Sequence, residues 1–157
     1  MRRTLAALAI ALAAPAGAAE VVAVADLDFV DSSGEVADQT ADHAARLARF
    51  ADTLRAELGA SGSAEVVVPA CDEPCSPART PFEAMAEATR AAGAERLLVG
   101  NIHKISTLIG SVKLTLIDLP ADRVVCTRVL SYRGDDDAAW EHAASFAAAD
   151  VVRHCLP

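Results

Sequence analysis

The sequence predicts a single mixed α/β domain with its elements in the order β-α-β-α-β-β-β-α, a three-layer-like arrangement around one sheet. Three observations lead there. Valine-rich runs at the start of the chain alternate with helical periodicity, the pattern of right-handed crossovers and parallel strands. Arg96 to Gly100 (RLLVG) is a continuous apolar run, typical of a strand buried on both faces. After Ile105 the pattern changes to two alternating stretches around a turn, which is an antiparallel hairpin added to one side of the sheet.

Glu20 to Val30 (EVVAVADLDFV) alternates and reads as the first strand. Asp31-Ser32-Ser33-Gly34 is a turn. From about Thr40 to Leu58, Leu47, Phe50, Ala51, Leu54 and Leu58 recur on one helical face, and Gly59 is the expected stop. Glu65 to Pro69 is a second, short strand, followed by a proline-bearing loop from Cys71 to Arg79. Thr80-Pro81-Phe82-Glu83 opens a helix, with Thr80 expected as N-cap, Pro81 at the first helical position and Glu83 reaching back as a capping box. Gly93 closes it. Leu119-Pro120-Ala121-Asp122 turns the hairpin. Gly134 to Asp137 leads into the last helix with an aspartate as N-cap. Trp140, Ala144, Ala147, Val151 and Cys155 form the stripe of that helix that should pack on the sheet.

Residues 1–19 read as a secretory leader. Arg2 and Arg3 form a positive start, Leu5 to Ala14 an apolar run, and small residues offer cleavage before Glu20. The run is too short to span a bilayer, which needs about 20 residues. No cysteine follows it, so a lipid anchor is not expected, and general secretion fits better than twin-arginine export. The expected mature unit is residues 20–157, a periplasmic domain that is not integral to the membrane. Losing residues 1–19 removes Arg2, Arg3 and no acid, moving the net charge from -8 to -10. Such acidity argues against nucleic acid or anionic membrane as a partner. Aromatics make up only 4% of the chain, so alanine, valine and leucine must build the core.

Four cysteines fit an oxidising compartment and allow three pairings. Cys71 and Cys75 flank Asp72-Glu73-Pro74 in a loop, where they can meet as a local disulfide. Cys126 lies in a strand and Cys155 at the end of the last helix, so a Cys126–Cys155 bridge would pin helix to sheet. A zinc site wants four ligands at recognisable spacing, and no second CxxC or HxxxH is present.

Open α/β sheets bind ligands beyond the carboxyl ends of their parallel strands. Asp28 and Asp31 stand there after the first strand, and His103 and Lys104 after the third. His103 with Asp28 or Asp31 would be an acid–base pair for a small hydrolase. Ser106 and Thr107 lie close by in sequence, but there is no G-x-S-x-G elbow, GxGxxG or P-loop. Asp135, Asp136 and Asp137 with Glu141 offer oxygens to a hard cation, at a spacing that does not match the EF-hand loop. Arg133-Gly134-Asp135 is too short to be a specific adhesion motif. His43, His142 and His154 lack ligand spacing to one another and read as surface residues. No cofactor is expected.

The combination of Gly100, His103, Lys104, Ser106, Thr107 and Leu108, of Ile117-Asp118 before the turn, and of Arg133, Gly134, Asp135, Asp137 and Trp140 resembles a family of secreted proteobacterial proteins of unknown function. The first strand and the CxxxC loop are similar as well. The resemblance covers most of residues 20–157. More distantly, the element order is similar to the amino-terminal domain of TolB and to CsgG-type α/β domains. The likeness to TolB and CsgG implies an envelope assembly or interaction domain rather than an enzyme; the family resemblance implies no established activity, but an association with periplasmic oxidation systems.

The expected function is therefore a secreted binding, assembly or accessory protein contacting a periplasmic or envelope protein. Its candidate binding residues are Asp28, Asp31, His103, Lys104, Ser106, Thr107, Arg133 and Asp135. A hydrolase using His103, or a metal-binding or thiol-redox accessory protein, are the alternatives.

Overall fold

The computed structural model describes residues 20–157; the expected leader lies outside the described residues. The elements follow the predicted order. They are β1 (Glu20–Asp31), α1 (Thr40–Ala60), β2 (Ala64–Val67), α2 (Phe82–Ala91), β3 (Arg96–Lys104), β4 (Ile109–Asp118), β5 (Arg123–Arg133) and α3 (Asp137–His154). They form one five-stranded sheet in the order β2-β1-β3-β4-β5. β1 pairs parallel with β2 and β3, and the hairpin of β4 and β5 pairs antiparallel beside β3.

Two helices cover one face and one helix covers part of the other. Phe50, Leu54 and Leu58 of α1 and Trp140, Ala144, Ala147 and Val151 of α3 pack over Val22, Val24, Leu98, Ile102, Leu114 and Leu116. Met85 and Ala86 of α2 pack on Ala23, Ala25 and Leu97. The predicted α3 stripe, Cys155 included, is buried. Burying each leucine-sized side chain stabilises by about 1.5–3 kcal/mol, so the two-helix face dominates the core.

A bulge in β1 decides which residues share a face. Val24 to Leu27 of β1 lies opposite Leu98 to Gly100 of β3, one extra residue on β1. Strict alternation would have placed Asp26 and Asp28 with Val22 and Val24. The bulge instead puts Leu27 and Phe29 in that core. It also brings Asp31 to the α1–α3 side. Gly100 sits opposite, where a Cβ would lie 2.6 Å from the Lys113 carbonyl oxygen and 2.5 Å from the Leu114 side chain. Only glycine lets the strands approach this closely.

Two helix ends differ from expectation. α1 runs through Gly59 to Ala60, and Gly62, at φ +74°, turns the chain. Ser61 donates its hydroxyl to the Leu58 carbonyl at 2.6 Å and so holds the last turn closed. At α2, Pro81 takes the N-cap position with no side-chain cap. Thr80 donates to the Pro74 carbonyl at 3.0 Å, so its hydroxyl ties down the cysteine loop rather than capping the helix. The cap of α3 is as predicted: Asp136 accepts from the Ala139 N–H at 2.8 Å. Both expected disulfides are present, Cys71–Cys75 and Cys126–Cys155.

Candidate functional site: a closed charge cluster and the groove beside it

β3 alternates Leu98, Gly100, Ile102 and Lys104 toward α1 and α3, so its last residue carries an ammonium into the edge of the core. Lys104 is 2% exposed. Its Nζ lies 2.6 Å from Asp135 Oδ2, donates to Gln39 Oε1 at 2.5 Å and to Glu35, and is 4.0 Å from Asp31. Asp135 follows β5 and precedes the α3 cap, which aims it inward. It accepts from His43 Nε2 at 3.0 Å, from Trp140 Nε1 at 3.1 Å and from Arg46 at 3.4 Å. His43 is 3% exposed, and its Nδ1 lies 4.0 Å from Asp31. Its ring packs between Phe29 at 4.8 Å and Trp140 at 5.9 Å.

The charges in this cluster hold one another. Burial works against the ammonium of Lys104, but hydrogen bonds to Asp135 and Glu35 outweigh it and raise its pKa above the ordinary lysine value. Burial likewise pushes Asp135 up, and its bonds to Lys104, His43 and Trp140 outweigh that and hold it below the ordinary carboxyl value. Asp31 is lowered by its hydrogen bonding with Ser33, aided by Lys104 and His43. Asp135 holds Nε2 of His43, and the ring is buried between Phe29 and Trp140, which leaves no open path for that nitrogen to take a proton from a substrate.

Of the expected binding residues, Asp31, Lys104 and Asp135 converge. The others do not join them. Asp28 accepts from Ser76 Oγ at 2.6 Å and from Ala78 N at 3.0 Å, so it clamps the cysteine loop. His103 alternates to the opposite face from Lys104 and bonds Ser32 Oγ at 2.7 Å. The expected pair of His103 with Asp28 or Asp31 therefore does not form. Ser106 accepts from the Leu108 and Ile109 N–H groups and shapes the β3–β4 turn, Thr107 is exposed in that turn, and Arg133 is exposed at the end of β5. The aspartate run diverges: Asp135 points inward, Asp136 caps α3, and Asp137 pairs with Arg46 at 2.9 Å and Arg49 at 2.8 Å. Among the described residues, no three histidine, cysteine or acidic side chains converge to hold a metal ion.

His43, Glu35, Gln39 and Arg46 complete the cluster and were not expected there. His43 reads as a surface histidine in the sequence, yet it continues the buried stripe of Leu47, Phe50, Leu54 and Leu58 one turn toward the start of α1. That periodicity was its available signal. Glu35 and Gln39 lie in the β1–α1 loop, whose path no pattern fixes.

Beside the cluster a groove of about 730 Å³ runs along β1 between α1 and the loop bearing Pro74 and Arg79. β2 pairs with β1 only as far as Ala23, so the second half of β1 has no strand on this side. The cysteine loop makes one backbone-to-backbone bond to it, Asp26 N donating to the Cys75 carbonyl at 2.9 Å, and is otherwise held by the Asp26 and Asp28 carboxylates.

Solved structures share this fold. A PelC dodecamer from Paraburkholderia phytofirmans matches 88% of this chain and 90% of its own at TM-score 0.55 and 16% identity. TolB from Acinetobacter baumannii matches 87% of this chain and 28% of its own at TM-score 0.53 and 14% identity. The carboxy-terminal domain of LpoB from Salmonella enterica matches 74% and 85% at TM-score 0.50 and 12% identity. At these identities the likeness is one of fold. No curated protein of described function matches the chain. The family to which the chain belongs matches it over residues 20–151, nearly the whole of the sheet and helices described above, and is that of the proteins of unknown function DUF3280 (DUF2380).

Proposed function

We propose that this protein is a secreted, periplasmic interaction or assembly module that works by contact rather than by catalysis. The observation that carries this reading is the closure of the Asp135 cluster. The most reactive groups at the ligand-binding end of the sheet, Lys104, His43 and Asp135, are buried and bonded to one another. A catalytic base would keep a free nitrogen or oxygen toward the substrate. Two further findings support the reading. The fold is shared, over most of both chains, with a protein that assembles as a dodecamer. Both cysteine pairs are bonded, as an oxidising compartment allows.

Expression of the full chain with its leader, followed by envelope fractionation, tests the reading. The expected product is periplasmic, begins at Glu20, and shows no free thiol until reduced. Sedimentation and cross-linking of that product should reveal either a defined oligomer or a defined complex with an envelope protein. A cytoplasmic product with four free thiols would refute the compartment. Ester or amide hydrolysis abolished by His43→Ala in a folded variant would refute the contact-only reading.

A further inference from the structure

The groove along β1 offers an unpaired strand edge. Ser32 N donates to the Lys104 carbonyl at 2.9 Å, so the backbone groups of Ser32, Val30 and Asp28 face β3. By alternation, those of Leu27, Phe29 and Asp31 face the groove. Among the described residues β2 does not extend to them, and no loop backbone bonds them. Ala44, Leu47 and Ala48 of α1 form an apolar wall above this edge. Small alanines keep it open to a passing backbone. From Leu27 to Asp31 the edge is about 13–16 Å long, enough for four or five extended residues. Strand addition at such an edge is a common route of peptide recognition, with main-chain bonds supplying affinity.

The rim selects the charge of the occupant. Asp31 and Asp38 stand along the groove, and Arg79 is its one arginine or lysine among the described residues. Residues 20–157 of the chain carry net charge -10, so a second copy would meet repulsion. We infer that this groove takes an extended, basic peptide segment of another protein, adding as a strand to Leu27–Asp31 with its apolar side chains on Ala44, Leu47 and Ala48 and a lysine or arginine toward Asp31 and Asp38. The inference rests on the interaction-module reading and gives it a surface.

The probe is a short fluorescent peptide alternating valine and lysine. It is compared with a version carrying glutamate for lysine and with a lysine version N-methylated at alternate backbone nitrogens. The lysine peptide should bind and slow amide exchange at Leu27, Phe29 and Asp31. N-methylation keeps the charge but removes pairing, and should weaken binding about tenfold. Asp38→Asn, at an exposed site outside the buried cluster, should weaken it about threefold to fivefold. Ala48→Trp plugs the groove from an exposed helix position and should abolish binding while leaving the circular dichroism melt unchanged. Equal binding of the N-methylated peptide, or protection elsewhere on the chain, overturns the assignment. So does self-association that Ala48→Trp removes, which would make the occupant a second copy. If Ala48→Trp leaves an envelope complex intact, the groove assignment fails while the interaction reading stands.

Discussion

Replacing Asp135 by alanine would leave Lys104 with its ammonium buried and two of its near partners, Glu35 and Gln39, drawn from the β1–α1 loop rather than from the sheet. It would also strip His43, Arg46 and Trp140 of an acceptor at once. Breaking a buried ion pair from one side costs about 3–5 kcal/mol. Asp135→Ala should lose that much in urea unfolding. Lys104→Met should cost less, about 1–3 kcal/mol, because Asp135 keeps three other partners; equal or reversed losses would show that the hub lies elsewhere. The same residues set the acid limit. The carboxyls of Asp135 and of Asp150, the latter bonded to Arg128 against the cost of burial, are held below their ordinary values. As pH falls, the unfolded chain therefore binds protons first. The stabilisation is complete above about pH 4–5 and is lost as pH drops through the lower folded values. Melting temperature should fall between pH 5 and pH 3, and Asp135→Asn should flatten that fall. Lys104 acts at the other extreme. Its raised pKa contributes stability below about pH 10 that disappears as pH rises through the folded value.

At the level of elements, α3 and the β4–β5 hairpin are the parts most plainly written in the chain. Asp136 as cap, the Trp140-to-Cys155 stripe and the turn at Leu119–Asp122 all act through local rules of periodicity and hydrogen bonding. The bulge in β1 is half legible. Val22 and Val24 stand in odd phase to Leu27 and Phe29, which signals a shift but not where the extra residue lies. Thr80 and Gly59 carry good start and stop signals, yet the Pro74 carbonyl took the threonine hydroxyl and the helix ran past the glycine. The candidate site was legible in Asp31, Lys104 and Asp135 as strand-end polar residues. Glu35 and Gln39 were not, since only the fold brings a loop over the sheet end. Cys126–Cys155 closes a separation of 29 residues between β5 and the end of α3. Opening it with a Cys126→Ala, Cys155→Ala pair should lower stability by about 3–4 kcal/mol, measured by guanidinium unfolding against the oxidised parent.

Across the whole molecule the two faces of the sheet are unequally covered. α1 and α3 blanket one face, whereas α2, ten residues long, reaches only the part near β1 and β3. Lys113, Thr127, Val129 and Ser131 on the remaining part are exposed. Amide exchange should follow this asymmetry. β3 and β4, central and buried, should exchange at the global unfolding rate, and α2 with the 71–79 loop should open first, faster than α1 or α3. Exchange of α2 as slow as that of α1 would mean that this face is covered in solution.

The Cys126–Cys155 bridge also changes how the molecule carries tension. A pull applied at Pro157 enters the covalent link at Cys155 and passes straight to Cys126 near the start of β5. Helix α3 is bypassed and cannot be peeled from its end. The edge strand must instead be sheared or unzipped from β4, along a ladder that runs from Ile109 to Asp118. A protein tethered through its carboxyl terminus would thus resist by its sheet, and reducing the bridge would let the helix yield first.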